Sequence, residues 1–448
     1  MSATSVRRAG PTGLPRLLEG LGPAGSTMTL ADHHAVHGRL PAIDGPELID
    51  LVERSGLRGR GGADFPTAIK LRTVAERRRA IAVVVNGSET EPASAKDRLL
   101  LARLPHLVLD GAVLAARTIG AREVIVKVGD GSPQVVQALE GAAAVREDAK
   151  ITFTIVAGPE GYVTGEETAV LNLLARGVAK PTFVPPRPYE RGLEGRPTLI
   201  QNVETCAQIA LIARFGPEWF RELGSDADPG SALVTISGAV RTPGVYELAF
   251  GTPMGDLLAA AGGPSEPLQA LLVGGYFGTW VKVDKAMRLR LSREDLRGVG
   301  CALGSGVLIA LGESSCGLHE SARITSYLAG QSAGQCGPCV HGLAAIADTV
   351  QAFADGRGGP EDLRRLRRWS AEVRGRGACH HPDGVARFVE SALAVFGHEI
   401  DFHRRQRCTA PAAGLPLGGV VVGARPAPAR RAPAERRREP APRRRATR

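Results

Sequence analysis

The chain has 448 residues, 43% of them apolar, which is material for two to four folded domains. No run of about twenty apolar residues occurs, which excludes an ordinary membrane-spanning helix, and the basic start MSATSVRRAGPTGLPRLLEGL lacks the apolar stretch of a secretory signal. The net charge of +10 does not argue for nucleic acid: ten Arg and two Glu between Arg425 and Arg448 carry +8 of it, so the body is close to neutral.

A Pro- and Gly-containing leader is expected over residues 1–44. Gly45–Arg54 (GPELIDLVER) reads as a short helix, and a Gly-rich loop follows through Gly56–Gly62. Ala80–Val85 (AIAVVV) has the length and β-branched content of a buried strand. Beyond it, Leu107–Ile119 reads as helix, Glu123–Val128 as strand, Pro133–Val145 as helix and Ile151–Val156 as strand. This alternation implies an α/β layer with a largely parallel sheet, expected to span residues 45–228. Composition changes near Asp226–Ser231. Strand-like Leu233–Val240 and Val245–Leu248, joined by a turn at Thr242–Gly244, precede a short helix, Met254–Ala261, that stops at Gly262-Gly263. These mark a small β-rich unit over residues 229–312. Residues 313–408 read as helical, with cysteine-bearing loops. Pro, Ala and Arg dominate after Cys408, a composition unable to bury a core, so a disordered basic tail is expected over 409–448.

Four motifs carry chemistry. The loop Leu57-Arg58-Gly59-Arg60-Gly61-Gly62-Ala63-Asp64-Phe65-Pro66-Thr67 lets backbone amides approach an anion or a flat ring closely, with Arg60 and Lys70 as cations for phosphate. It matches neither a Walker A loop nor the six-residue dinucleotide fingerprint. Asn86-Gly87-Ser88-Glu89-Thr90-Glu91-Pro92 follows an apolar strand, where α/β sheets bind ligands. Gly161-Tyr162-Val163-Thr164-Gly165-Glu166-Glu167-Thr168-Ala169 opens a helix, and its paired glutamates also suit the helix dipole. The fourth is Pro197-Thr198-Leu199-Ile200-Gln201-Asn202-Val203-Glu204-Thr205. Each has a bland account as a turn or a cap; their joint order does not.

Together these residues resemble the NADH-binding FMN subunit of respiratory complex I and its relatives in bacterial hydrogenases and formate dehydrogenases. That family carries G-L-R-G-R-G-G-A-G-F-P-T, N-A-D-E-G-E-P, G-E-E-T-A-L and N-N-V-E-T in this order. The resemblance runs from Gly45 to His403, and Ser237–Tyr246 (SGAVRTPGVY) is similar to the family's soluble-ligand-binding β-grasp insert. It implies an FMN-binding Rossmann-like α/β domain, then a β-grasp domain, then a C-terminal helical bundle with an iron–sulfur site. By the same resemblance Arg60, Gly61, Gly62, Phe65 and Lys70 line FMN; Asn86, Glu89 and Glu91 surround the flavin and nicotinamide rings, with Glu89 and Glu91 as the catalytic carboxylates. Gly165, Glu166 and Glu167 form the opposite wall, and Asn202 and Thr205 meet the ribityl-phosphate arm. The chain departs from the family at Asp64 (glycine there), Ser88 (aspartate), Leu71 (an aromatic residue), and Val184 and Arg187, which replace the lysine and phenylalanine at the adenine end of NADH.

Seven cysteines, an odd number, fit a reducing, cytoplasmic setting, including one at the inner face of a membrane. The family binds a [4Fe–4S] cluster through E-S-C-G-x-C-x-P-C and a later cysteine. Here Cys336, Cys339 and Cys379 match, while Ala333 stands at the first position. Three thiolates leave open a [3Fe–4S] cluster, or a [4Fe–4S] cluster with Ser332, His341, His380, His381 or Cys316 as a further ligand. A structural Cys3His zinc site in a non-catalytic docking protein uses the same residues. Cys206 and Cys301 read as buried fillers and Cys408 as incidental. The expected function is electron transfer from NAD(P)H through FMN and an iron–sulfur cluster to a ferredoxin-like or membrane-associated partner. An FMN/iron–sulfur carrier between protein partners, without nicotinamide, is the alternative.

Overall fold

The computed structural model describes residues 13–22, 25–77, 80–148, 150–408 and 410. The expected basic tail, residue 410 apart, lies outside them.

The described chain begins with α1 (Leu30–His37) and α2 (Gly45–Ser55). Asp44 caps α2 by accepting the Glu47 amide at 2.8 Å, and Gly56 ends it in the left-handed region at φ 73°. The Gly-rich loop leads into α3 (Thr67–Glu76), followed by β1 (Ala82–Gly87), α4 (Lys96–Arg103), α5 (Pro105–Ile119), β2 (Glu123–Gly129), α6 (Pro133–Ala144), β3 (Thr152–Gly158), α7 (Glu167–Arg176), β4 (Leu199–Asn202) and α8 (Val203–Phe215). The strands form a wholly parallel sheet in the order β3-β2-β1-β4. Val83, Val84 and Val85 of β1 are all buried, because helices cover both faces of the sheet. Register pairs Asn86 with Asn202 at the carboxyl ends of neighbouring β1 and β4. Two motifs far apart in sequence therefore meet at the edge where open α/β sheets bind ligands.

After α9 (Pro217–Arg221) a second, mixed sheet forms from β5 (Ser231–Gly238), β6 (Gly244–Ala249), β7 (Leu268–Val273), β8 (Thr279–Lys282) and β9 (Val307–Gly312), in the order β6-β5-β9-β7-β8. The β5/β9 pair is parallel and the other pairs are antiparallel. Helices α10 (Met254–Ala260), α11 (Val283–Ala286) and α12 (Arg293–Gly298) sit among these strands in the chain. Helices then follow: α13 (Gly317–Gly330), a wide helical turn at Pro338–Leu343 that runs into α14 (Ala344–Ala354), α15 (Pro360–Val373), α16 (His381–Phe396) and α17 (Glu399–Arg404). They share an apolar core with Trp280 of β8, whose ring lies 5.3 Å from Phe396.

The leader is more than a connection. It contains α1 and packs on the body: Leu17 is fully buried, and His33 meets Asp110 of α5 at 2.7 Å. Arg16 and Leu17 donate their amides to Glu247 of β6 at 2.7 and 2.8 Å. Among the described residues no single helix is long and apolar enough to cross a membrane.

Candidate functional site

The four motifs converge on one cleft at the carboxyl edge of the parallel sheet. A cavity of about 440 Å³ is lined by Gly61, Phe65, Lys70, Asn86, Glu89, Glu91, Gly165, Glu166, Glu167, Asn202 and Thr205, that is, by eleven of the thirteen expected flavin-site residues. A connected lobe of about 430 Å³ shares Gly61, Glu91, Gly165, Glu166, Glu167 and Arg187 with it, and adds Gly62, Tyr162, Val184, Phe277, Cys379 and His381.

Small size at two positions is structural. A Cβ on Gly61 would lie 3.1 Å from Asn202 Cβ, and one on Gly165 would lie 2.9 Å from Thr90 Cγ2. Both glycines let the loops around the cleft pack this closely. The walls are held by caps. Asn202 Oδ1 accepts the Glu204 amide of α8 at 3.0 Å, while its Nδ2 donates to Asp97 at 2.7 Å. Glu166 caps α7 through the Thr168 and Ala169 amides at 2.9 and 3.1 Å. Asn86 Nδ2 donates to the Gly165 carbonyl at 2.7 Å, tying β1 to the loop before α7. Lys70 pairs with Glu167 across the cleft, the cation one-fifth exposed.

The two carboxylates expected at the rings differ in role. Glu89, at φ 38°, turns inward: it accepts Ser94 Oγ at 2.7 Å and the Asp97 and Arg98 amides at 2.9 Å each. It therefore caps α4, with burial and neighbouring Asp97 raising its pKa. Glu91 joins the two sheets, accepting the Tyr162 hydroxyl at 2.9 Å and the Tyr276 amide at 2.8 Å. Burial pushes the Glu91 carboxyl up to about 7, against the lowering effect of those hydrogen bonds.

Arg60 corrects an expectation. Only its backbone serves the cleft, donating to Thr205 Oγ1 at 2.9 Å. The buried guanidinium turns away toward the second sheet, 3.2 Å from the Ser231 carbonyl, 3.8 Å from Glu204 and 4.7 Å over the Phe250 ring. Of Arg60 and Lys70, only Lys70 lines the cleft. Sequence reasoning missed Tyr276, Phe277 and Ser305 of the second sheet unit; the only signal was the glycine-flanked aromatic pair in Gly274-Gly275-Tyr276-Phe277-Gly278.

Comparison with known proteins gives this cleft a lineage. The Nuo51 FMN-binding domain matches residues 52–211, the SLBB domain residues 233–275, and the NADH-ubiquinone oxidoreductase-F iron-sulfur binding region residues 319–403. The second NADH-quinone oxidoreductase F subunit of Rhizobium meliloti is 32% identical over 81% of this chain and 89% of its own length. The chain belongs to the family of NADH-quinone oxidoreductase F subunits. The F subunit of Streptomyces coelicolor is 33% identical over 80% of this chain and 83% of its own. A solved NAD+-reducing [NiFe]-hydrogenase in the H2-reduced state superposes with TM-score 0.73 at 31% identity, over 80% of this chain; the chain spans 63% of that hydrogenase chain.

The cysteines that match the family's cluster motif gather as well. Cys336, Cys339 and Cys379 line a small cavity together with Ser332, Ala333 and His381. The Ala378 amide lies 3.4 Å from Cys336 Sγ. His380 is exposed beside Asp383, whereas His381 is buried, with Nε2 bonded to the Leu328 carbonyl at 2.8 Å and Nδ1 without a hydrogen-bond partner. Cys316 lies elsewhere, against His403 at 3.3 Å. Among the described residues, the metal-ligating side chains that close within 4.8 Å of one another are Cys316, His319, His403 and Cys408, not the family cysteines.

Proposed function

We propose that this chain is an electron-accepting flavoprotein. It holds FMN in the cleft and an iron–sulfur cluster at Cys336, Cys339 and Cys379, and it takes electrons from NAD(P)H for a ferredoxin-like or membrane-associated protein partner. FMN, when bound, accepts a hydride and gives up its electrons singly, chemistry that belongs to the cofactor. The observation that carries the reading is continuity: Cys379 and His381 line both the lobe next to the flavin-site residues and the cysteine cavity. The residues that would hold the flavin and those that would hold the cluster thus border neighbouring spaces that share Cys379 and His381.

The chain's own residues then have separate tasks. Lys70, partly exposed beside Glu167, supplies charge for the phosphate, and Gly61 and Gly165 let the loops that would hold the ring system close on Asn202 and Thr90. Asn202 and Thr205 stand at the amino end of α8, whose dipole favours an anionic arm. Glu91, held by Tyr162 and Tyr276, fixes one wall of the ring pocket, and Glu89 positions that wall by capping α4. The residue that would supply the cluster's fourth ligand is His381: it lines the cysteine cavity, its Nε2 is tied to the Leu328 carbonyl, and its Nδ1 has no hydrogen-bond partner. Residues 45–228, 229–312 and 313–408 form the FMN-binding, β-grasp and helical cluster-binding units of this reading. Val184 and Arg187 at the lobe leave transfer between protein partners as the second reading, because they remove the family's lysine and aromatic face.

The test is an anaerobic absorbance spectrum of the purified chain before and after NADH and then NADPH. Flavin and cluster bands bleached by either nucleotide are expected. Bands that respond to dithionite but to neither nucleotide would replace the nicotinamide reading with the second one. In His381→Ala, the oxidised-state EPR signal of a three-iron cluster is expected to replace the four-iron species; an unchanged four-iron cluster assigns the fourth position elsewhere.

A further inference from the structure

Outside the family's cofactor sites, four metal-ligating side chains meet at the carboxyl end of the described chain. Cys316 precedes α13 and His319 lies in its first turn; His403 is on α17 and Cys408 follows it. One ligand atom from each lies within 4.8 Å of the others. We propose that Cys316, His319, His403 and Cys408 form a structural zinc site.

The donor set is the first argument. Two thiols and two imidazoles around one point are the ligands of closed tetrahedral zinc sites. Zn–S and Zn–N bonds of about 2.3 and 2.0 Å place tetrahedral ligands about 3.5 Å apart. Cys316 Sγ and His403 Nε2 are already 3.3 Å apart, so the remaining donors need only a small contraction.

The orientation of His403 is the second argument. Its Nδ1 meets the Ala354 carbonyl at 2.6 Å, which makes Nδ1 the protonated nitrogen and leaves the Nε2 lone pair facing Cys316. A backbone carbonyl behind a histidine is the arrangement that fixes metal-ligating imidazoles. Glu399 Oε2 is 3.9 Å from the same Nε2, beyond hydrogen-bonding distance.

The third argument is burial. Cys316 and His403 are 3% and 5% exposed, while Cys408 is exposed and sits at the edge of the described chain. A metal would therefore be bound from inside by α13 and α17 and closed from outside by Cys408. Its consequence is mechanical: it pins the segment after α17 to the start of α13, immediately before the basic tail. Two of the four donors, Cys316 and Cys408, lie outside the residues matched by the iron-sulfur region, 319–403. Two thiolates neutralise the dication, and binding releases the two thiol protons.

The experiment is metal analysis of the full chain purified from zinc-supplemented cells, with iron and flavin measured on the same sample. About one zinc per chain is expected. Cys408→Ser, at an exposed position that does not disturb the core, is expected to lose it with iron and flavin unchanged. Cys336→Ser is expected to lose iron and keep zinc. Cobalt loaded in place of zinc is expected to show tetrahedral and thiolate-to-cobalt bands that collapse in Cys408→Ser and in Cys316→Ser. Wild-type protein without zinc or cobalt bands, zinc unaltered in both variants, or a Cys316–Cys408 disulfide found by thiol counting would each overturn the proposal.

Discussion

At the scale of single residues, Glu91 is the group whose titration is felt by the fold. Its carboxyl is raised to about 7 from an ordinary 4.5 by burial, so the folded chain holds this proton more tightly than the unfolded chain. The stabilisation is full below about pH 4.5 and fades as pH rises through about 7, by about 3 kcal/mol in all. Glu91→Gln keeps an acceptor for Tyr162 and Tyr276 but cannot ionise. The unfolding free energy of wild type relative to Glu91→Gln is therefore expected to fall by about 3 kcal/mol between acidic and mildly alkaline buffer, read from denaturant midpoints. A pH-independent difference would mean that Glu91 is not buried as described. None of this is readable from the motif itself. The acidic motif was legible because polar residues follow an apolar strand. Which of its carboxylates caps a helix and which bridges two units depends on the backbone turn at Glu89 and on Tyr162 and Tyr276, 71 and 185 residues away from Glu91.

At the scale of elements, the strands β1, β2 and β3 were readable to within about two residues: β1 and β2 because burial on both faces demands short β-branched runs, and the half-exposed edge strand β3 from its alternation with helices. The second sheet was only partly readable. Its β5 and β6 flank a clear turn, but β7 (LQALLV) and β9 (VLIALG) are apolar on both faces, without alternation, and periodicity cannot separate such runs from buried helix. Helices α5 and α8 show what sequence patterns omit. Both are buried on nearly every side, and they cross where Gly111 faces the Cys206 backbone. A Cβ at Gly111 would run into the Cys206 carbonyl oxygen, and backbone cannot rotate away as a side chain can. Gly111→Ala, normally favourable inside a helix, is expected here to destabilise by about 3 kcal/mol or more. A calorimetric midpoint equal to or above wild type would show that the pair is less tightly packed than described.

At the scale of the whole molecule, two cations of one motif divide the labour between assembly and ligand. Arg60 reaches from the Gly-rich loop to the second sheet, with Glu204 behind it and Phe250 beneath it, all out of water. Lys70 sits in the open cleft beside Glu167. Read from sequence, both belong at a phosphate, since charge and spacing alone do not say which way a side chain turns. The structure separates them by burial, and their variants should separate too. Arg60→Ala leaves Glu204 with Lys96 as its remaining cationic partner and the Ser231 carbonyl with only Gln208 Nε2 as side-chain donor, for an expected loss of about 3 kcal/mol. Lys70→Ala breaks a half-solvated pair, so unfolding is expected to shift by less than about 1 kcal/mol. Flavin affinity is expected to move the other way, falling about tenfold or more in Lys70→Ala through loss of a charge-assisted phosphate contact. In Arg60→Ala, flavin should be retained below the unfolding transition. Flavin-to-protein ratio after gel filtration, measured beside the denaturant midpoint, distinguishes the two. Flavin loss in Arg60→Ala without loss of stability, together with full occupancy in Lys70→Ala, would reverse the assignment and make Arg60 the phosphate cation.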